Sequence, residues 1–338
     1  MNSAKISIYK KIISLLMVVF ISSSLFACNS DEGTREETEA PKEAKFSIGL
    51  ILSDNTKENE SAYRGFVRAF SEKGYAQGDY YSLAFADCDG SKSKCKEIAQ
   101  KYAQDGVDLI FAVGEKAAYA AKKATSSIPV IFCSVYDPIE SKILKSCEKP
   151  EANVTGVSDF TPVEEQFAFI RRVIPDAKNI SSLHLSTDAN SILITTLAKD
   201  AAKALDFEYT PYSATDSDQL ESVLKDALKG ADALYICEDD LTVANAETIV
   251  KAANKKKVPI FAASDTFMSF GTFATYVPDY EDLGFNAGEL ALICLKELHP
   301  ISNISVEYPV KCIGYISQSV ADKLGIEVND EEDIEILP

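Results

Sequence analysis

The sequence predicts an α/β protein of two lobes, each a parallel sheet covered by helices, joined by a hinge. Three observations carry this. Apolar strand-like runs alternate with amphipathic helical runs through most of the chain, the pattern that closes into parallel sheets with helices on both faces. The pattern occurs twice with a shared signature: Asp108-Leu-Ile-Phe with Ile128-Pro-Val-Ile-Phe-Cys-Ser134 is echoed by Asp232-Ala-Leu-Tyr with Val258-Pro-Ile-Phe-Ala-Ala-Ser264. Between the copies, the stretch 153–165 begins in turn chemistry at Asn153 and Gly156, runs extended, and enters a helix at Thr161-Pro162. Thr161 as N-cap, Pro162 at the first helical position, and Glu164 and Glu165 at the positive helix end agree with one another. Such a crossing places the function in the cleft that it spans.

The elements follow in order. In the first half, strands are expected at 46–52, 80–86, 107–113 and 128–133. Helices lie between them, the first with Tyr63, Phe66, Val67 and Phe70 on one face and a stop at Gly74, the others at 91–104 and 115–124. In the second half, strands at 181–185, 207–212, 231–237 and 258–263 alternate with helices at 192–205, 218–228 and 243–255. A strand at 272–277, a long helix at 281–298 and strands at 304–308 and 312–316 then take the chain back to the first lobe and return it. A short helix at 319–324 precedes an acidic tail expected to fray.

The N-terminus carries processing chemistry. Three lysines (Lys5, Lys10, Lys11) precede an apolar run from Ile12 to Phe26 that is too short and wrongly flanked to span a membrane. It ends Leu25-Phe26-Ala27-Cys28, which resembles a bacterial lipobox, with Phe26 bulkier than usual. The resemblance implies a signal peptide at 1–27 and acylation of Cys28, whose two chains give stable anchoring. Polar residues 28–45 lack apolar periodicity and read as a disordered tether.

With 338 residues, the chain has room for two domains. Its 52 acidic against 34 basic side chains argue against nucleic acid and against electrostatic adhesion to anionic lipid. There are eight cysteines, no Cys-x-x-Cys, and two histidines on separate segments, so neither zinc nor a cofactor is called for. Cys88 and Cys95 flank a turn and are placed to pair outside the membrane, although buried free thiols are the commoner state; the sequence leaves this open.

Ligands of open α/β sheets sit beyond the carboxyl ends of the strands. The candidate ligand-binding residues there are Ser53, Asp54, Asn55 and Gly114, with Ser134, Tyr136 and Asp137 after the fourth strand. The second half supplies Asn190, Ser191, Asp240 and Asp265. The wider strand-end set, which includes Glu238, Asp239 and Ser264, holds carboxylates and small hydroxyls but no Arg, Lys or His. With no nucleophile elbow, Walker loop or dinucleotide fingerprint either, catalysis is not expected. A zwitterion suits this set: hydroxyls and helix N-termini for its carboxylate, acidic residues for its ammonium, and Tyr136 to stack on a ring.

Five stretches carry a family likeness: Tyr63-Arg-Gly-Phe66, Ser134-Val-Tyr-Asp-Pro138, Asn153-Val-Thr-Gly-Val-Ser-Asp159, Asp188-Ala-Asn-Ser191 and Phe261-Ala-Ala-Ser-Asp265. Asp279-Tyr-Glu-Asp-Leu-Gly284 adds a sixth. From 46 to 326 the chain resembles the substrate-binding lipoproteins of ABC importers, in the tryptophan-binding branch. The resemblance implies two Rossmann-like lobes joined by a three-crossing hinge, the type I periplasmic-binding-protein fold. Lobe 1 would be 46–155 plus about 280–307, and lobe 2 would be 156–279 plus about 308–330. It also implies a monomer on the outer face of the cytoplasmic membrane, delivering an amino acid to a permease and its ATPase. Asn190, Ser191, Asp137 and Asp240 resemble ligand contacts of that family. Tyr136 stands where a small hydroxyl residue is usual and Leu241 where Asn is usual, which favours tyrosine or phenylalanine over tryptophan. The stretch 155–159 is expected to set closing geometry rather than grip ligand. Two other readings remain open, a surface adhesin on the same fold and a binder of a sugar or nucleoside; the absence of Trp counts against sugar stacking.

Overall fold

The computed structural model describes residues 46–150, 152–160, 163–296 and 299–338. The expected signal peptide, the acylated Cys28, the tether and the Thr161-Pro162 helix entry lie outside the described residues.

The first sheet has five parallel strands in the order β2-β1-β3-β4-β5. These are β1 (Phe46–Leu52), β2 (Tyr81–Asp87), β3 (Leu109–Val113), β4 (Val130–Cys133) and β5 (Val154–Val157). Helices α1 (Lys57–Glu72), α2 (Lys92–Asp105) and α3 (Glu115–Ala124) connect the first four. Strands β1, β3 and β4 are almost wholly buried, as continuous apolar runs covered on both faces should be.

The second sheet has seven strands in the order β12-β11-β10-β9-β8-β6-β7. In chain order these follow α4 (Val163–Val173): β6 (Asn179–Leu185), α5 (Ala189–Ala204), β7 (Glu208–Ala214), α6 (Ser217–Ala227), β8 (Ala233–Ile236), α7 (Asp240–Ala244), α8 (Ala246–Lys256), β9 (Ile260–Ala262) and β10 (Ala274–Pro278). The long helix α9 (Tyr280–Leu295) comes next, then β11 (Cys312–Ser317), α10 (Gln318–Leu324) and β12 (Ile334–Leu337). Only the β10–β11 pair is antiparallel.

The internal echo is structural. Strands β3 and β4 are neighbours, as are β8 and β9. Asp108 accepts the Ser47 N–H at 2.7 Å, and Asp232 accepts the Asn179 N–H at 2.8 Å. In each copy the aspartate pins the start of the adjacent strand.

Helix α9 returns to the first sheet and lies against α1 at very close range. A Cβ on Gly65 would sit 1.9 Å from the Glu281 carbonyl oxygen, and one on Gly284 would sit 1.8 Å from that of Ala62. Glycine is what lets the two backbones touch. The chain thus passes from first sheet to second after β5, back after β10, and again before β11, which makes three crossings.

Three expectations need correction. The segment expected as a strand at 304–308 runs beside β5 through a single bridge, Val157 to Glu307, with Ser158 N–H donating to the Glu307 carbonyl at 2.9 Å. The helix expected at 243–255 is interrupted at Asn245, whose side-chain amide donates to the Leu241 carbonyl at 2.8 Å and to Ser217 Oγ at 3.0 Å. The acidic tail does not fray. It adds β12 beside β11, buries Ile334, and is tied down where Arg172 and the Tyr276 hydroxyl meet Asp333. Cys88 and Cys95, left open by the sequence, are disulfide-bonded across the turn that leads into α2.

Candidate functional site

Two cavities open where the carboxyl ends of the two sheets face each other. The smaller, of about 300 Å³, has apolar walls from Tyr136, Val163, Ile194, Tyr235, Val277 and Pro278, with Gln166 and Asn190 as its amides. The larger, of about 1030 Å³, is lined by the start of α1 (Thr56 to Ser61), by Ser134, and by Asp265 and its neighbours. Asp159, Glu238, Ser264 and Tyr280 line both, so they form the boundary between the two. The smaller volume is at the lower end of the range for a small-molecule site.

Local sequence explains how these groups are presented. Asp159 follows β5 by two residues, Ser134 follows β4, Glu238 follows β8 and Ser264 follows β9. Ser134 has φ +58°, a left-handed conformation uncommon for a residue other than glycine. Ser158 Oγ donates to the Tyr136 carbonyl at 2.9 Å, which couples the β4 and β5 exits. Gln166 on α4 is held rigid: its amide donates to the Ala263 and Tyr276 carbonyls at 3.0 and 2.9 Å and accepts from the Tyr235 hydroxyl at 2.5 Å. The Tyr136 and Phe160 rings meet at a centroid distance of 4.8 Å.

The electrostatics are those of an acidic cleft. Burial raises the Asp159 carboxyl to about 6, with the Glu238 charge adding to the rise. Its Oδ1 is shielded from solvent with no hydrogen-bond partner, and so is Ser264 Oγ. Burial also raises Asp265 to about 6, helped by the charges of Glu58 and Glu238 and by a hydrogen bond to Glu58. Glu58 lies on α1 and Asp265 beyond β9, so this contact spans the two sheets. The Tyr136 and Tyr280 hydroxyls are pushed upward by burial first and by Asp159 second. Among the described residues, no group of three or more His, Cys, Asp or Glu is placed to hold a metal ion. No helix among them is long and apolar enough to cross a membrane.

The sequence-derived candidates divide. Ser134 and Asp265 line the larger cavity, and Tyr136 and Asn190 the smaller. The others line neither and have identifiable structural partners or an exposed position. Ser53 Oγ accepts the Ala117 N–H at 3.0 Å, and Gly114, with φ +85°, starts α3 against the Ser53 side chain. Asp54 accepts from the Asn59 amide at 2.7 Å, and Asn55 is exposed. Asp137 caps its own turn, accepting the Ile139 and Glu140 N–H groups at 2.8 and 2.9 Å. Ser191 is buried and donates to Asp239 Oδ2 at 3.0 Å; Asp240 is exposed on the short α7.

The cavities also bring in Asp159, Gln166, Tyr235 and Tyr280, which the sequence reading did not select. A usable signal existed for Asp159. The strand-end rule applies to β5 as to any other strand, although the same stretch also reads as a crossing between the sheets. Gln166, Tyr235 and Tyr280 sit inside helices or a strand, where one sequence offers no cue to their direction.

Known proteins give a consistent picture. A tyrosine-binding protein of Clostridioides difficile (strain R20291) is 30% identical over 326 residues, which cover 95% of this chain and 91% of that protein. The ligand-free, open structure of a substrate-binding protein with adhesive properties from Clostridium difficile matches with a TM-score of 0.80 and 27% identity, over 86% of this chain and 99% of the other. The structure of an ABC domain in complex with L-Trp from Streptococcus pneumoniae matches with a TM-score of 0.63 and 26% identity, over 85% and 96%. The model of the ABC transporter substrate binding protein family matches residues 47–334, and this chain belongs to that family.

Proposed function

We propose that the chain is the binding component of an ABC importer and captures an aromatic amino acid between its lobes. One observation carries the choice of ligand: a cavity with apolar, Tyr-rich walls is also lined by Asp159, one of whose carboxylate oxygens is shielded and lacks a partner. An aromatic side chain suits the walls, and an ammonium supplies the missing donor. The relatives described as binding tyrosine and L-Trp support the same class. Tyrosine and phenylalanine are favoured, because a bulky Tyr136 ring stands in the wall of a cavity of about 300 Å³.

The division into lobes at 46–155 with about 280–307, and 156–279 with about 308–330, is part of the same reading, as is closure by bending at the three crossings. So are export by the 1–27 leader, anchoring through an acylated Cys28, action as a monomer, and hand-over to a permease and its ATPase. The role is binding rather than catalysis.

Thermal unfolding of the mature protein against each of the twenty amino acids is the test. A ligand at a hundred times its dissociation constant adds about 2.7 kcal/mol to stability. An upward shift confined to aromatic amino acids is the expected result; no shift with any of them would end this reading. The adhesive properties described for the similar Clostridium difficile protein support a second role at a surface. Equal binding to host-cell surfaces by the wild type and by Asn190→Ala would separate such a role from the cleft.

A further inference from the structure

The charges around the cleft are one-sided. The smaller cavity is lined by two carboxylates, Asp159 and Glu238, and by no Lys, Arg or His. The larger adds Glu58 and Asp265 beside them. Two of its lining residues are cations, at the start of α1: Lys57 is exposed, and Arg64 is engaged by Ser61 Oγ at 2.7 Å and by Glu281 at 3.8 Å. The boundary between the cavities therefore has anions on it and no cation.

The two ends of a zwitterion meet this boundary unequally. An ammonium brings N–H donors and positive charge to Asp159 Oδ1, the shielded atom without a partner. Asp159 and Glu238 line both cavities and Asp265 the larger, and no cation stands on the boundary that the two share. A ligand carboxylate finds the unpartnered Ser264 hydroxyl, the Asn190 amide and, in the larger cavity, the first turn of α1, which itself carries Glu58 and Glu60, while it approaches carboxylates of like sign. At low local dielectric the charged contact outweighs the neutral ones.

Building on the aromatic amino-acid reading above, we propose that the ammonium is the group this cleft selects, and that aromatic primary amines, the decarboxylated counterparts of those amino acids, are also ligands. The α-carboxylate then adds affinity without being required.

Calorimetric titration of the mature protein at pH 7.5 with L-tyrosine, tyramine and 3-(4-hydroxyphenyl)propionate, and with the corresponding phenylalanine series, tests this. The expected result is an amine Kd within about tenfold of the amino acid's, and an acid lacking the amine that binds more than about a hundredfold more weakly. Asp159→Asn should weaken the amine by at least about tenfold while Tm shows the protein folded. Binding of the amino acids without either amine, or binding of the desamino acid as tightly as the amine, overturns the inference and leaves the parent reading intact. Binding of an amine without either amino acid overturns the parent reading instead. Silence from both series overturns both.

Discussion

Asp159, proposed above as the partner of the ligand's ammonium, carries a cost in the empty protein. Its carboxyl is raised by burial to about 6, above the ordinary carboxylate value, so between about pH 4 and 6 the folded protein holds a proton there that the unfolded chain releases. Stability of the ligand-free protein should therefore fall as pH rises through the window between about 4 and 6. Asp159→Asn removes the buried anion, and at pH 7.5 it should raise ligand-free stability by about 1–3 kcal/mol while weakening amino-acid binding; paired denaturation and calorimetry check both. Ligand affinity should have the opposite pH dependence. An ammonium pairs with the ionised carboxyl, so binding should weaken by up to about tenfold for each pH unit below 6, with protons released on binding in that range. A flat affinity between pH 5 and 7 would dissociate Asp159 and Asp265 from the ligand. Residues at this scale were half legible. Of the residues the strand-end rule selects, Ser134, Tyr136, Asn190 and Asp265 line the cavities, whereas Ser53, Asp137 and Ser191 are engaged within the fold, because polar types suited to holding ligands also cap helices and turns.

Elements were far more legible than sites, because periodicity reports burial directly. Helix α3 (Glu115–Ala124) matches its expected bounds and β1 (Phe46–Leu52) does too. What failed were decisions made by partners distant in sequence. The tail reads as polar and acidic, yet β11 presents an edge and Arg172 a cation, and together they recruit it as β12. The seat of α9 was equally hidden, since nothing local announces that Gly284 must meet Ala62. Gly284→Ala sets a methyl group against backbone at 1.8 Å and should destabilise the protein by about 1–3 kcal/mol or more, as read by chemical denaturation. An unchanged midpoint would mean that α9 is free to shift. The disulfide was undecidable for a different reason: spacing shows that Cys88 and Cys95 are near each other but not that their sulfurs converge.

For the whole molecule, the duplicated strand pattern was enough to predict two facing sheets, and Asp108 and Asp232 now explain why the echo persists in both. Three chain crossings join the sheets, and the carboxyl pair Glu58–Asp265 spans the gap between them. While both carry charge that pair opposes approach of the two sides, so on the proposed reading a bound ammonium would favour closure by neutralising the boundary. Small-angle scattering should show a smaller radius of gyration with an aromatic amino acid than without, and a smaller change for Asp159→Asn at a ligand concentration near the wild-type Kd. The most direct test is a crystal structure of the mature protein grown with L-tyrosine or L-phenylalanine. The ring should lie in the cavity walled by Tyr136, Ile194 and Tyr235, with the ammonium within hydrogen-bond distance of Asp159. A ligand bound outside this cleft, or an ammonium turned away from Asp159 toward solvent, would contradict it.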